Sequence, residues 1–311
     1  MTARLTVLGG YLGAGKTTLL NGLLATADGS RIAVVVNDFG SVNIDRRLIT
    51  SATRDTVELA NGCMCCSLQD DTSAVMTRLA ARDDLRHVVV ETSGVGDPAA
   101  LRTWGNYPGF APGSTVVCLD STSAAALLRD EFVGDTAARQ LARADVVVLT
   151  KVDLARSGQL VDAWRRCREH APDAQVLESE RGDLRLEDLL PGPAGPMNAT
   201  AGEPDSHRSV HRSALVTGAR PVDRDALLRA LHELPPSVVR VKGLVRCSDS
   251  PLSRTLVQCS GGRVSVTVEG AWREADSSEL VIIAAGAEAA DADLRSVTDR
   301  LAEVLADRSS A

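Results

Sequence analysis

Residues 9–18, Gly-Gly-Tyr-Leu-Gly-Ala-Gly-Lys-Thr-Thr, constrain this chain more than any other stretch. From Gly10 to Thr17 they match G-x-x-x-x-G-K-[ST], and their flanks suit that pattern. A short apolar strand over residues 4–8 comes before, and Leu19, Leu20, Leu23 and Leu24 recur at helical spacing after. Strand, glycine loop and helix in that order make a cradle for an anion. Gly10, Gly13, Ala14 and Gly15 let the backbone fold tightly, so that successive N–H groups and the helix N-terminus face phosphate oxygens. Lys16 would reach the β- and γ-phosphates, and the Thr17 hydroxyl would ligate Mg²⁺. A nucleoside triphosphate is the default ligand. The bland alternative, a glycine-rich turn joining a strand to a helix, does not account for the full pattern in this context.

The rest of the first half reads as an open α/β sheet. Residues 31–36, 85–90, 114–119 and 145–149 are apolar, β-branched runs expected to be buried parallel strands. Loops at the carboxyl ends of such strands line the ligand crevice. Asp38, in Asn37-Asp38-Phe39-Gly40, is thereby placed to approach Mg²⁺, the γ-phosphate or a second metal, with an Asx turn as the alternative. Glu91 ends the second run and is followed by Thr92-Ser93-Gly94. It would act on Mg²⁺ directly or through water, while the Gly94 N–H could sense the γ-phosphate. The fourth run leads into Thr150-Lys151-Val152-Asp153, similar to the guanine-reading N-K-x-D element of GTPases. There an aspartate accepts from N1–H and the 2-amino group, a pair that adenine lacks. Lys151 could pack against the base and Asp153 read it. Thr150 replaces the usual asparagine, so the choice of guanine rests on less than phosphate binding does.

Three of the seven cysteines, Cys63, Cys65 and Cys66, fall within four positions beside the turn signal Asn61-Gly62. C-x-C-C lacks the two C-x-x-C halves of a structural zinc knuckle. It offers three soft thiolates and leaves a coordination position for water, a carboxylate or another protein, which suits a metal that must leave again. A redox switch pairing Cys63 with Cys65 or Cys66, or plain buried thiols, are the rivals. Cys118, Cys167, Cys247 and Cys259 lie in apolar or helical segments and read as small hydrophobes.

Composition sets the outer bounds. A hydrophobic share of 44% is globular, and an aromatic share of only 3% predicts a core of Val, Leu, Ala and Ile. A net charge of −7, with no basic patch interleaved with aromatics, argues against a nucleic-acid partner. No apolar stretch reaches the roughly 18 residues of a membrane span, and no secretory signal is visible, so a cytoplasmic protein with reduced thiols is expected. The Pro- and Gly-rich segment from Pro191 reads as a linker. Beyond it, strands near 210–217, 237–247 and 279–284, a hairpin over 256–268, and helices over 223–232 and 291–305 suggest a smaller α+β domain with an antiparallel sheet. His207 and His211, beside the linker, read as solvated, with auxiliary metal ligation as the alternative.

Taken together, GGYLGAGKTTLLN at 9–21, NDFG at 37–40, ELANGCMCCSL at 58–68, ETSGVGDP at 91–98, ADVVVLTKVDL at 144–154 and VVRVKGLVR at 238–246 resemble the CobW family of P-loop GTPases. Members of that family are regarded as metallochaperones or metal-insertion factors. The resemblance implies that Gly13, Gly15, Lys16, Thr17 and Thr18 hold nucleotide and Mg²⁺. It implies further that Cys63, Cys65 and Cys66 bind the transported metal, that Glu91 and Gly94 form the second nucleotide motif, and that Lys151 with Asp153 selects guanine. Asp38 stands where the family often has glutamate, and the histidine-rich run many members carry near the linker is reduced here to two residues.

The expectation is therefore a P-loop GTPase domain over 1–190, a linker over 191–208 and a CobW-like α+β domain over 209–311. GTP, Mg²⁺ and Zn²⁺ are its expected ligands, with Co²⁺ compatible. Lys16, Thr17 and Glu91 would carry hydrolysis. The product would be a metal-loaded client metalloprotein or cofactor-assembly protein, from a monomer or homodimer. A non-catalytic thiol buffer or redox sensor, or a GTPase inserting cobalt or iron during cofactor or metalloenzyme maturation, are the competing readings.

Overall fold

The computed structural model describes residues 2–26, 32–36, 56–58, 69–189, 211–273, 276–286 and 288–306. They fall into two compact units, one ending at Leu189 and the other starting at His211 among the described residues.

In the first unit the elements alternate: β1 (Ala3–Gly9), α1 (Lys16–Thr26), β2 (Ile32–Val36), β3 (Thr56–Glu58), α2 (Gln69–Ala80), β4 (His87–Glu91), α3 (Pro98–Arg102) and β5 (Phe110–Asp120). Then follow α4 (Ala124–Arg129), α5 (Gly134–Ala142), β6 (Val146–Thr150), α6 (Ser157–His170) and β7 (Gln175–Ser179). All seven strands run parallel in the order β3-β2-β4-β1-β5-β6-β7. The chain winds out from β1 to one edge, returns at β4, and then builds the other side from β5. The carboxyl end of β1 lies between these halves, where an open sheet places its ligand crevice.

Helices on both faces explain why the strands are continuous apolar runs. Leu8, Val34, Val89, Val116 and Val148 pack with Leu19, Leu20 and Leu23 of α1. The opposite face joins Leu5, Val7, Val35, Val88 and Val90 to Val75, Met76 and Leu79 of α2. Val117, Leu119, Val147 and Leu149 pack with Leu141, Ala163 and Cys167 of the later helices. Few aromatics take part.

The second unit contains β8 (His211–Gly218), α7 (Arg224–His232), β9 (Val238–Val245), β10 (Ser253–Ser260), β11 (Arg263–Ala271), β12 (Ser278–Ala285) and α8 (Glu288–Ala306). Its antiparallel sheet has the order β11-β10-β9-β12-β8. Leu227 and Leu231 of α7 and Leu294, Val297, Leu301 and Leu305 of α8 cover one face, against Val241, Val257, Leu280 and Ile282. Asp223 caps α7 by accepting the Ala226 N–H at 2.7 Å. The fold class expected from sequence is the one observed.

Some local expectations change. β5 starts at Phe110, four residues before its predicted start, and β7 was not foreseen: half exposed at the sheet edge and carrying Glu178, it lacks the apolar run of its neighbours. His211 is not solvated. It opens β8, pairs with Ala285 of β12 and is only 4% exposed. His207 lies outside the described residues. The four scattered cysteines are free and buried, as small hydrophobes should be.

Candidate nucleotide site

Leu5, Val7 and Leu8 anchor β1 in the core, and Leu19, Leu20 and Leu23 anchor α1. The six residues between are thereby pinned at both ends. Gly10 has φ +129°, and a Cβ there would come within 2.5 Å of the Cys118 carbonyl oxygen, so only glycine fits between β1 and β5. Gly13 and Gly15 also take positive φ, while the Ala14 N–H closes a turn onto the Tyr11 carbonyl at 3.0 Å.

Lys16 begins α1, is only 7% exposed, and donates through Nζ to the Gly10 carbonyl at 2.8 Å. Its ammonium is thus folded over the loop, and an ammonium carries three donors. Thr17 and Thr18 follow in the first turn, the former half-buried and the latter exposed. The loop, the helix N-terminus and the lysine together concentrate positive potential where a polyphosphate would lie.

Glu91 closes β4 beside β1 and is 2% exposed. Its electrostatic surroundings show in Cys118. That thiol is held up at about 12, chiefly by burial, with the Lys16 ammonium acting to lower it and the Glu91 carboxylate to raise it. After Glu91 the chain is tied back to the loop. The Thr92 N–H donates to the Leu8 carbonyl at 2.9 Å, and Gly94 lies so close to Leu12 that a Cβ would meet its Cδ2 at 2.4 Å. Gly94 is therefore held against the phosphate loop.

The opposite end of the cradle is built from β5, β6 and β7. Lys151 has a left-handed backbone, φ 57°, and its Nζ bonds both Gly13 O at 2.9 Å and Asp120 Oδ2 at 2.6 Å. Asp120, at the end of β5, also accepts the Thr122 N–H at 2.8 Å and the Thr122 hydroxyl. The substitution at Thr150 acquires a structural account here: its hydroxyl donates to the Ala14 carbonyl at 2.8 Å, joining β6 to the phosphate loop. Asp153 lies 3.6 Å from Arg181 Nε. Arg181 belongs to the turn after β7, where Asp183 accepts from the Ser179 hydroxyl and the Glu180 N–H. Gly182 of that turn packs on α1 so tightly that a Cβ on Gly22 would fall 1.8 Å from its carbonyl oxygen.

The structure thus brings Gly10, Gly13, Ala14, Gly15, Lys16, Glu91, Gly94 and Lys151 to one edge of one sheet. Asp38, Cys63, Cys65 and Cys66 lie outside the described residues, and no cluster of three or more metal-ligating side chains occurs among the described ones. Three contributors were missed from sequence. Asp120 directly follows the predicted strand over 114–119 and was given no role, the Gly182 turn follows an unforeseen strand, and Gln140 donates from α5 to the Gly94 and Gly96 carbonyls. Only the Gly at 22, two turns into α1 where helix propensity disfavours it, hinted at a close approach.

Residues 4–178 match the family model for the CobW/HypB/UreG nucleotide-binding domain, and residues 212–302 match that for the cobalamin synthesis protein cobW C-terminal domain. The chain belongs to the CobW/HypB/UreG family. Among its CobW relatives is a protein of Pseudomonas aeruginosa named zinc chaperone CobW, 32% identical, with 89% of this chain and 86% of the relative covered. A zinc chaperone CobW of Sinorhizobium is 27% identical, with 89% and 91% covered. The Zn(II)-bound YjiA GTPase of E. coli, a solved structure, is similar over 98% of this chain and 99% of its own at 22% identity and TM-score 0.44. No helix among the described residues is long and apolar enough to cross a membrane.

Proposed function

We propose that this CobW-family protein is a GTP-hydrolysing zinc metallochaperone, coupling its nucleotide state to the binding and transfer of the metal. The observation that carries the reading is the tying of a complete phosphate loop, through Lys151 and Thr150, to the turn that ends in Asp153. In this reading the phosphate-binding and base-reading segments are joined directly by these two hydrogen bonds. The names of the CobW relatives support zinc as the cargo.

Each residue has a role in this reading. Backbone N–H groups of Gly10 to Gly15 and the start of α1 receive the phosphates, and Lys16 turns toward the β- and γ-oxygens. Thr17 offers a hydroxyl and Glu91 a carboxylate, an all-oxygen donor set that fits a hard cation such as Mg²⁺. When bound, Mg²⁺ neutralises charge on the β- and γ-phosphates. Gly94 presents its N–H to the γ-phosphate, and Asp153 accepts from the guanine edge while Lys151 supports the base. Hydrolysis is then attack of an in-line water on the γ-phosphorus, stabilised by positioning and by Lys16. Cys63, Cys65 and Cys66 hold Zn²⁺ as thiolates. In sequence order they fall between Asp38 and the strand ending in Glu91, and this order is the basis for coupling the metal to segments that a γ-phosphate can order. A client metalloprotein or cofactor-assembly protein receives the metal in the cytoplasm, where such thiols stay reduced. The GTPase domain occupies 1–190, the linker 191–208 and the C-terminal domain 209–311.

Release of inorganic phosphate by reduced protein from Mg²⁺-GTP and, separately, Mg²⁺-ATP tests the reading. Faster release from GTP, with the preference lost in Asp153→Ala, is expected. Equal rates for the two nucleotides, or phosphate delivered to an acceptor other than water, would overturn it.

A further inference from the structure

We propose that Gln140 is the positioning residue for the γ-phosphate-sensing loop, fixing the backbone of Gly94 to Gly96 beside the phosphate loop. The proposal deepens the GTPase reading above and rests on its assignment of Gly94.

Gln140 lies on α5 and is 2% exposed. Its Nε2 donates to the Gly96 carbonyl at 2.8 Å and reaches the Gly94 carbonyl at 3.4 Å. Both acceptors are carbonyls, so the amide can face the loop only with its nitrogen. The consequence is visible on the other side of the group: Oε1 is buried and has no hydrogen-bond partner among the described residues. A residue placed only to fill space would not be chosen at that cost, since leucine or methionine packs without desolvating an acceptor. The carboxamide is kept for what its nitrogen holds.

What it holds is the peptide segment whose N–H groups meet the γ-phosphate. That segment is already turned by the Gly96 N–H bond to Ser93 O at 2.9 Å, and pressed on Leu12 at Gly94. Gln140 supplies the third support. A fourth lies just downstream, where Arg102 at the end of α3 bonds Asp145 at 3.2 Å, and Asp145 accepts the Thr115 N–H at 2.7 Å. The stretch 94–102 is thus fastened at both ends to residues 140 and 145, which lead directly into β6 and the Lys151 turn. Diphosphate binding uses the phosphate loop and that turn. The γ-phosphate alone needs Gly94, so loss of Gln140 should be felt by GTP and not by GDP.

Gln140→Met removes both donors at similar volume, and Gln140→Glu sets a carboxylate against two carbonyls. In each, kcat for GTP is expected to fall at least about tenfold and affinity for a non-hydrolysable GTP analogue about fivefold, with GDP affinity within about twofold of wild type. Amide hydrogen exchange over residues 93–97 should quicken. Unchanged kcat and analogue affinity would overturn the proposal. So would an equal loss for GDP and GTP analogue, or failure of both variants to fold, since each marks a purely structural core residue. If wild-type protein releases no phosphate from GTP, the GTPase reading fails. The analogue-to-GDP affinity ratio and the exchange over 93–97 then still decide whether Gln140 positions Gly94.

Discussion

Both units bury Val and Leu in their sheets, but they place their buried polar side chains very differently. In the first, Lys16, Glu91, Asp120, Gln140 and Thr150 are buried, and they converge around the carboxyl ends of β1, β4, β5 and β6. In the second, His211, Lys242, Thr255 and Ser278 are buried but scattered over four strands, with Ser237 buried in the turn before β9. Strand direction explains the contrast. Parallel strands bring all their carboxyl ends to one edge, so short loops from distant parts of the sequence share one crevice. Antiparallel neighbours send alternate ends to opposite edges, and no comparable gathering follows. Since burying a charge is costly unless it is used or paired, the concentrated cost marks the first unit as the chemical one.

The largest effect that would sharpen this contrast is at Lys16. Lys16→Ala should lower GTP turnover by about 10²–10³-fold while leaving the melting temperature of the ligand-free protein within a few degrees. A variant that hydrolyses GTP normally would break the account of the first unit. Next come two glycines with the same steric problem. A Cβ at Gly22 would lie 1.8 Å from Gly182 O, and one at Gly243 would lie 1.8 Å from Glu279 O. Each alanine variant should lose about 1–3 kcal/mol of stability in chemical denaturation. Only Gly22→Ala should also weaken GDP binding, because only it displaces a turn of the nucleotide site. Equal weakening in Gly243→Ala would erase the distinction.

Asp120→Asn keeps the size of the side chain but removes the charge that holds Lys151, and should weaken GDP by about tenfold, with the loss growing smaller at high salt. The smallest effect concerns pH. Burial holds the Cys118 and Cys167 thiols up to about 12, against an ordinary value of 9.0. The folded protein keeps both protons where the unfolded chain gives them up, so this contribution is complete below about pH 9 and shrinks as pH rises toward 12. Stability should fall there by up to about 1.4 kcal/mol per pH unit per thiol. In Cys167→Ala the slope of melting temperature against pH above 9 should flatten, and an unaltered slope would contradict the assignment.

Much of the first unit was readable because its signals are local. The phosphate loop, the apolar strands and the carboxylate ending β4 each occupy a few consecutive residues. What escaped depends on contacts between residues far apart. Gln140 looks like any polar helix residue until α5 is packed beneath Gly94, and Asp120 gains its meaning from Lys151, 31 positions later. β7 was hidden because an edge strand needs no continuous apolar run. Thr150 was legible as a departure from N-K-x-D, but its hydroxyl bond to Ala14 required the folded loop. His211 misled because its neighbours in sequence are linker-like while its neighbours in space are β12.

Zn²⁺ affinity of the reduced protein, measured anaerobically by chelator competition with Mg²⁺-GDP and then with a non-hydrolysable GTP analogue, tests the central claim most directly. The account predicts a difference of at least tenfold, about 1.4 kcal/mol, between the two nucleotide states, collapsing in Cys65→Ser. Equal affinities in the two states would contradict it and leave a thiol metal buffer that carries nucleotide without using it.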